Sequence, residues 1–331
     1  MSSPHELGAA RVSPRRPLGE RENRLLPYVA FIALGLIWGG SFLFIKVALQ
    51  DMAPTVIVLG RSASGAVALA VIMLAMGKPF FTDLRKRLGL FAFMAITNAL
   101  LPWVLIAWGE QHISSGLASI LNSTTTLWAA IFIYFVIPAE RPSFLNYAGV
   151  LIGLSGVVIL VIPDLTSHGV SGNVAGALAV VVASISYAVS ALFVRLKMRG
   201  MNVYEQSLGQ LAVTAVLALP IAAPALPHVH VAWLSIGAVL ALGVGGSGVA
   251  YLLYYYTMHT LGPVRATGVT FVVPITAVFW GVVLLHEVLT FVTVAGMAVI
   301  LTGILLANRR ERGSRPAPER AKEPAPVRGG G

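Results

Sequence analysis

The chain has 331 residues, of which 57% are hydrophobic and 11% charged, with a mean hydropathy of +0.83 and a formal net charge of +10. Soluble domains carry about a quarter charged residues, so a chain this apolar is not a water-soluble enzyme or binding module and needs a less polar solvent. The absence of cysteine excludes structural disulfides and thiolate metal sites.

Residues 1–26 are rich in Arg, Pro, Ser, Glu and Gly, too polar to bury a core, and are expected to form a disordered basic tail, as are residues 309–331. The N-terminal tail lacks the apolar segment and small-residue cleavage site of a signal peptide. Between the tails, apolar windows of about 20 residues, enough to cross a bilayer core, recur from end to end. They fall at 27–47, 54–76, 89–109, 115–137, 145–162, 173–195, 203–224, 232–255, 264–285 and 290–308. The expected fold is an all-α integral membrane protein with ten transmembrane helices.

Polar groups are expensive at membrane depth, so those inside the windows are informative. The first span carries Trp38, Ser41 and, near its end, Lys46, which is expected to snorkel to the headgroups. In the second, Arg61 lies seven residues from Pro54, about 10 Å along a helix. Two readings compete there: an ion pair with Glu110 or Asp51 or snorkelling, and capture of a substrate carboxylate by the planar guanidinium. The third span offers Asn98, Pro102 and Trp108. In the fourth, Asn122, Ser123, Thr124, Thr125 and Thr126 form an unbroken polar run. Its hydroxyls can bond back to their own helix, or Asn122 and Thr125 can present polar groups to a substrate from one face. Gly149, Gly153 and Gly156 in the fifth span suit either close packing within the chain or a homodimer.

The sixth span carries Tyr187 and Ser190. The eighth contains GVGGSGVAYLLYYY, in which Gly243, Gly245 and Gly248 have the spacing of a dinucleotide fingerprint. The run lies inside an apolar window with no acidic residue following at the ribose distance, so helix packing is the better reading. Ser247, Tyr251 and Tyr255 share one face, with Tyr254 beside it; Tyr251 lies deepest and is the cavity candidate, whereas Tyr255 and Tyr256 suit an interfacial belt. Glu140 and Glu287 precede the last helix of each half, where a carboxylate caps free amides. No acidic residue sits mid-span, and His112 and His259 lie at span ends, so no buried proton relay is evident.

All but two of the 23 Lys and Arg fall in the tails and in the loops on the tails' side, the exceptions being Lys46 and Arg61. The far loops carry none, so both termini are expected to be cytoplasmic in a multi-pass plasma (inner) membrane protein. The basic balance then suits lipid headgroups rather than nucleic acid. Laid over itself with a shift of about 148 residues, the chain aligns Trp38 with Tyr187, Ser41 with Ser190, Lys46 with Arg195, Glu140 with Glu287 and Gly156 with Gly303. Two five-span repeats, 27–162 and 173–308, must insert in opposite orientations, the architecture of secondary transporters with a site at the midplane.

The stretches IWGGSFLFIK, Pro54 to Arg61, HISSGLASI and VVPITAVFWGVVLLHEVLT, with their order in both halves, resemble the EamA-type exporters of the drug/metabolite transporter superfamily over residues 27–308. The resemblance implies an inverted five-plus-five fold with a central cavity, exporting small metabolites such as amino acids. One departure is that Pro274 of span nine is matched in span four by Leu127, which argues against a broken fourth helix. The expected substrate-binding set is Trp38, Ser41, Arg61, Asn98, Asn122, Thr125, Tyr187, Ser190 and Tyr251, with no catalytic residue, metal or cofactor. An exporter of lipophilic drugs is the alternative, and a structural or sensory membrane protein another; scattered histidines and carboxylates argue against an enzyme.

Overall fold

The computed structural model describes residues 25–81, 83–137, 143–168, 172–229, 232–262, 266 and 268–308. Among these the chain is helical, without strands. Ten helical rods follow one another: α1 Leu26–Ala48, α2 Pro54–Ala75, α3 Leu84–Glu110, α4 Ser115–Val136, α5 Phe144–His168, α6 Gly172–Lys197, α7 Val203–His228, α8 Trp233–Leu261, α9 Val269–Leu285 and α10 Phe291–Ala307. The first eight are long and apolar enough to cross a membrane, and α9 and α10 are shorter apolar helices. The tail segments before residue 25 and after residue 308, with Glu140, Arg141 and Arg265, lie outside the described residues.

Local chemistry sets the helix starts. Pro54 occupies the first turn of α2, where its missing N–H costs nothing. Ser114 accepts from the Leu117 amide at α4, Asn202 from the Tyr204 amide at α7, and Thr290 from the Thr293 amide at α10. Val67, Val71, Leu151, Val216, Phe279 and Leu305 face outward, whereas Ser62, Ser184, Gln210 and Thr214 are buried. That arrangement suits a bundle in lipid, where polar side chains gather between helices.

Packing is reciprocal between the halves: α1 lies on α8 and α9 as α6 lies on α3 and α4, and α2 lies on α8 as α7 lies on α3. Glycines set the registers. Gly35 faces Val272 and Gly39 faces Ala277, so α1 and α9 run parallel; Gly109 faces Val180 and His112 faces Gly172, so α3 and α6 run antiparallel. Gly149 meets Gly303 and Ala307, and Gly156 meets Gly296 and Ile300, so α5 and α10 are antiparallel and nearly touch. The small faces of α5 are therefore covered within the chain.

Three rods are irregular. α3 carries a π-helical segment at Ile96–Leu100 and α8 one at Ala241–Val249, equivalent positions under the sequence repeat. α4 breaks at Ser123 and Thr124 despite lacking a proline, while α9, which has Pro274, is continuous. The expectation of an unbroken fourth helix is thus overturned. Ser123, Thr124, Thr125 and Thr126 donate to the carbonyls of Ile120, Leu121, Asn122 and Ser123 at 2.6, 2.6, 2.8 and 2.9 Å. Four successive hydroxyls thus add to the amides of Ser123, Thr124 and Thr126, which bond three residues back to the carbonyls of Ile120, Leu121 and Ser123, and keep the carbonyls at the break paired.

A methyl group at Gly303 would overlap the α5 backbone at Gly153. Gly303→Ala should cost about 1–3 kcal/mol and lower the midpoint of thermal unfolding in detergent. Gly237→Ala, whose added carbon meets nothing within 4 Å, should leave the midpoint unchanged or raise it slightly.

Candidate functional site

A cavity of about 430 Å³ lies where α1, α2, α3, α4, α6, α8 and α9 converge. Its walls are Trp38, Ser41, Phe42 and Ile45 from α1, Arg61 from α2, Asn98, Trp103 and Ile106 from α3, and Tyr187 and Ala191 from α6. The α4 break supplies Ser119, Asn122, Ser123, Thr125 and Thr126; α8 supplies Gly246, Ser247, Tyr251 and Tyr254; α9 supplies Val269, Thr270, Val273 and Pro274. All three irregular segments border this space. Phe42, Ile45, Ile106 and Ser119 are buried and form a floor toward the ends of α1 and α3, whereas Tyr254 and Thr270 are part-exposed.

The glycine run of α8 shapes one wall. Gly243 packs on the α2 backbone at Arg61 and Gly65, with no room for a side chain, and Gly65 in turn meets the Gly243 carbonyl. This is close helix approach, not a phosphate loop. The carbonyl of Gly246, within the π segment, accepts from Trp38 Nε1 at 3.2 Å. In α3 a carbonyl of its own π segment, that of Thr97, accepts from Ser186 Oγ at 2.7 Å. Each π segment is thus met by a side chain from the first helix of the other half.

Arg61 is the single charged side chain among the described residues lining the cavity. Its Cζ lies 4.0 Å from the centroid of the Trp103 ring, and its Nε donates to Ser247 Oγ at 3.3 Å. The expected ion pair with Glu110 or Asp51 does not form: Asp51 accepts from Ser235 Oγ, and neither carboxylate oxygen of Glu110 has a hydrogen-bond partner. Nor does Arg61 snorkel. The guanidinium rests on an aromatic face with its terminal nitrogens free of protein acceptors among the described residues, open to a planar anion.

Trp38 lies tilted against Tyr254, ring centroids 5.6 Å apart, and Tyr187 and Tyr251 line the same cavity. Ser41 borders the cavity, though its hydroxyl bonds back to Ile37 O at 3.2 Å. Asn98 borders it while tethered, its amide donating to Gln210 Oε1 at 3.0 Å and its oxygen accepting from Ser190 Oγ at 2.8 Å. Asn122 presents a buried side-chain oxygen without a partner, and Thr125 sits beside it, its hydroxyl on the Asn122 carbonyl. Ser190 is the one member of the expected set that does not line the cavity; it is buried behind Asn98 and holds it in place.

Two further expectations are corrected. Lys46 does not reach to headgroups but donates to the backbone carbonyls of Glu110 and, at 2.8 Å, Ile113, capping the end of α3. Glu287 does cap a helix, but not the last of its own half: it accepts from Ser115 and Gly116 amides at 2.7 and 3.1 Å, at the start of α4. Trp103 was missed; the signal available was an indole mid-span in α3, five residues from Asn98, where the sequence reading took Trp108. Trp108 instead is partly exposed and packs edge-on against His112.

The description EamA-like transporter family belongs to the family model that matches this chain, over residues 25–162 and 174–309. Among curated proteins the chain is 23% identical over 280 residues to the uncharacterized transporter YoaV of Bacillus subtilis (strain 168), covering 84% of this chain and 95% of the relative. It is 27% identical over 297 residues to the uncharacterized inner membrane transporter YedA of Escherichia coli (strain K12), covering 87% and 92%. The probable terminal-alkyne amino-acid exporter of Streptantibioticus cattleyicolor is 27% identical over 295 residues, covering 86% and 94%. A solved crystal structure superposes with a TM-score of 0.63 over 85% of this chain and 96% of the other at 19% identity, a likeness of fold.

The different duties of Ser190 and Asn122 are separable. Ser190→Ala strands a half-buried Asn98 oxygen and should cost about 1 kcal/mol of stability, read by thermal unfolding. Asn122→Ala removes an oxygen that bonds nothing in the protein, and should leave the unfolding midpoint within about 0.5 kcal/mol equivalent while weakening ligand binding measured by calorimetry.

Proposed function

Because the chain belongs to the EamA-like transporter family of the drug/metabolite transporter superfamily, we propose that it is a secondary carrier exporting small metabolites, amino acids first among them. On this reading two inverted five-helix repeats rock about the cavity, giving alternating access, with both termini cytoplasmic in the plasma membrane. Support for the inverted arrangement comes from the reciprocal packing of the halves and the equivalent π segments. Support for the orientation comes from the basic loops on the side of the tails.

The observation that carries the substrate class is Arg61 as the lone charge among the described lining residues, in a wall otherwise of aromatic and aliphatic side chains, hydroxyls and amides. Such a site favours a molecule with one carboxylate and a compact apolar or amphipathic body. Trp38, Tyr254, Tyr187 and Tyr251 hold the body, Arg61 the carboxylate, and the Asn122 oxygen a donor such as an ammonium group. Family membership and the absence of acidic lining side chains favour this over a lipophilic cation. The named exporter of terminal-alkyne amino acids, at 27% identity, points the same way.

Counterflow of labelled amino acids into liposomes holding the purified chain tests the proposal. Uptake should be saturable, and Arg61→Ala should weaken it about 10- to 100-fold, the worth of a charge-assisted pair in a dry site. Arg61→Lys should not restore it, since an ammonium cannot fork onto a carboxylate. Tyr251→Ala should raise the half-saturating concentration. Transport of neutral lipophilic dyes in preference to amino acids, unaffected by Arg61→Ala, would replace this reading with drug export.

A further inference from the structure

One helical turn beyond the cavity floor lies a second polar layer that substrate binding does not use. Phe42, Ile106 and Ser119 line the cavity; Lys46, Glu110 and Ser115 each stand four residues from one of them on the same helix face. Lys46 ties α1 to the end of α3, and Glu287 ties the segment after α9 to the start of α4. The layer thus joins both halves on the side away from the tails.

Glu110 is its anomaly. It is fully buried, and neither carboxylate oxygen has a hydrogen-bond partner; the hydroxyls of Ser115 and Ser119 are likewise buried and unpartnered. Among the described residues the groups facing it are few. From α1 comes Lys46, two of whose three donors go to carbonyls; from beyond α9 comes Glu287, held by amides; Asp51 is taken by Ser235, and His112 packs on Trp108 and Gly172. From α6 the neighbours of α3 are Gly176 and Val180, the α2 cation Arg61 lies two turns away over Trp103, and α4 brings only serines. An ionised carboxylate without donors is strongly disfavoured in a dry layer, whereas a carboxylic acid is tolerated.

We infer that Glu110 is a proton-binding site within the seal that closes the cavity toward the side away from the tails, holding its proton while the seal is shut and releasing it when the seal opens. The inference rests on the alternating-access reading. Opening admits water to the carboxylate and frees Lys46 from its two carbonyls to serve as the counter-ion. Acid on that side therefore favours the shut seal, and alkali the open one. The carrier becomes sensitive to a proton without any acid in its substrate cavity.

The chain has no cysteine, so Ser119→Cys gives one thiol at the floor. Its labelling by a membrane-impermeant methanethiosulfonate applied from the side away from the tails is measured against Val288→Cys, an exposed position that corrects for thiol chemistry. The labelling ratio should rise as that side is made alkaline, by up to about tenfold per pH unit. Glu110→Gln should flatten the dependence and Glu110→Asp keep it, with Glu110→Leu replacing the Gln variant where that does not insert. A ratio indifferent to pH with Glu110 present, or a slope that survives Glu110→Gln, overturns the proton site while leaving alternating access standing. No labelling from that side at any pH overturns both. Because no substrate is needed, failure of the amino-acid reading leaves the measurement intact.

Discussion

A backbone group released from its helix inside a membrane has no water to turn to, and the rest of this structure depends on how three such releases are repaired. The two π segments and the α4 break each expose carbonyls next to the cavity. Ser186 meets Thr97, Trp38 meets Gly246, and the hydroxyls of Ser123 to Thr126 meet the carbonyls three residues back. Two of these repairs reach across from the other half of the chain. The same contacts that make the irregularities tolerable therefore hold the halves in register around the space the irregularities create.

Once those needs are met, little polar capacity remains uncommitted. Asn98 is held by Gln210 and Ser190, Thr124 by Ser184 and its own helix, and Ser41 by Ile37. Among the described residues lining the cavity, the terminal nitrogens of Arg61, the oxygen of Asn122 and the hydroxyl of Ser119 are left without a hydrogen-bond partner. The Trp103 face stabilises the cation by about 2 kcal/mol when desolvated, less than a counter-anion would.

Much of this was legible in the sequence because it is written in composition and period. The apolar windows located the rods, and the repeat paired Trp38 with Tyr187; the glycines of spans five and ten left packing within the chain and dimerisation open, and the structure brings them together between α5 and α10. The break in α4 was not legible, because attention to Pro274 and Leu127 sought a missing amide, whereas the device is a run of hydroxyls. Lys46 and Glu287 were misplaced for another reason. Their partners, the end of α3 and the start of α4, are tertiary neighbours far away in sequence, and local rules for snorkelling and capping cannot name them. Ser190 shares a repeat position with Ser41 yet sits one layer back, because a duplication fixes helix faces and not the depth of a side chain within the wall.

The cavity and the seal are built on the same helices, and that is what allows one to answer the other. α1 places Phe42 in the floor and Lys46 in the seal, α3 places Ile106 and Glu110, and α4 places Ser119 and Ser115, each pair one turn apart. A helical turn is stiff, so a tilt of α4 that lifts Ser119 out of the floor must also carry the Ser115 and Gly116 amides away from Glu287. A tilt of α1 that withdraws Phe42 must pull Lys46 from the α3 carbonyls. Floor and seal cannot move separately. The break at Ser123 and Thr124 lies on the cavity side of this unit, and the N-terminal piece of α4, Ser115 to Asn122, packs on α1, α6 and α9, so it belongs to the same block as the floor.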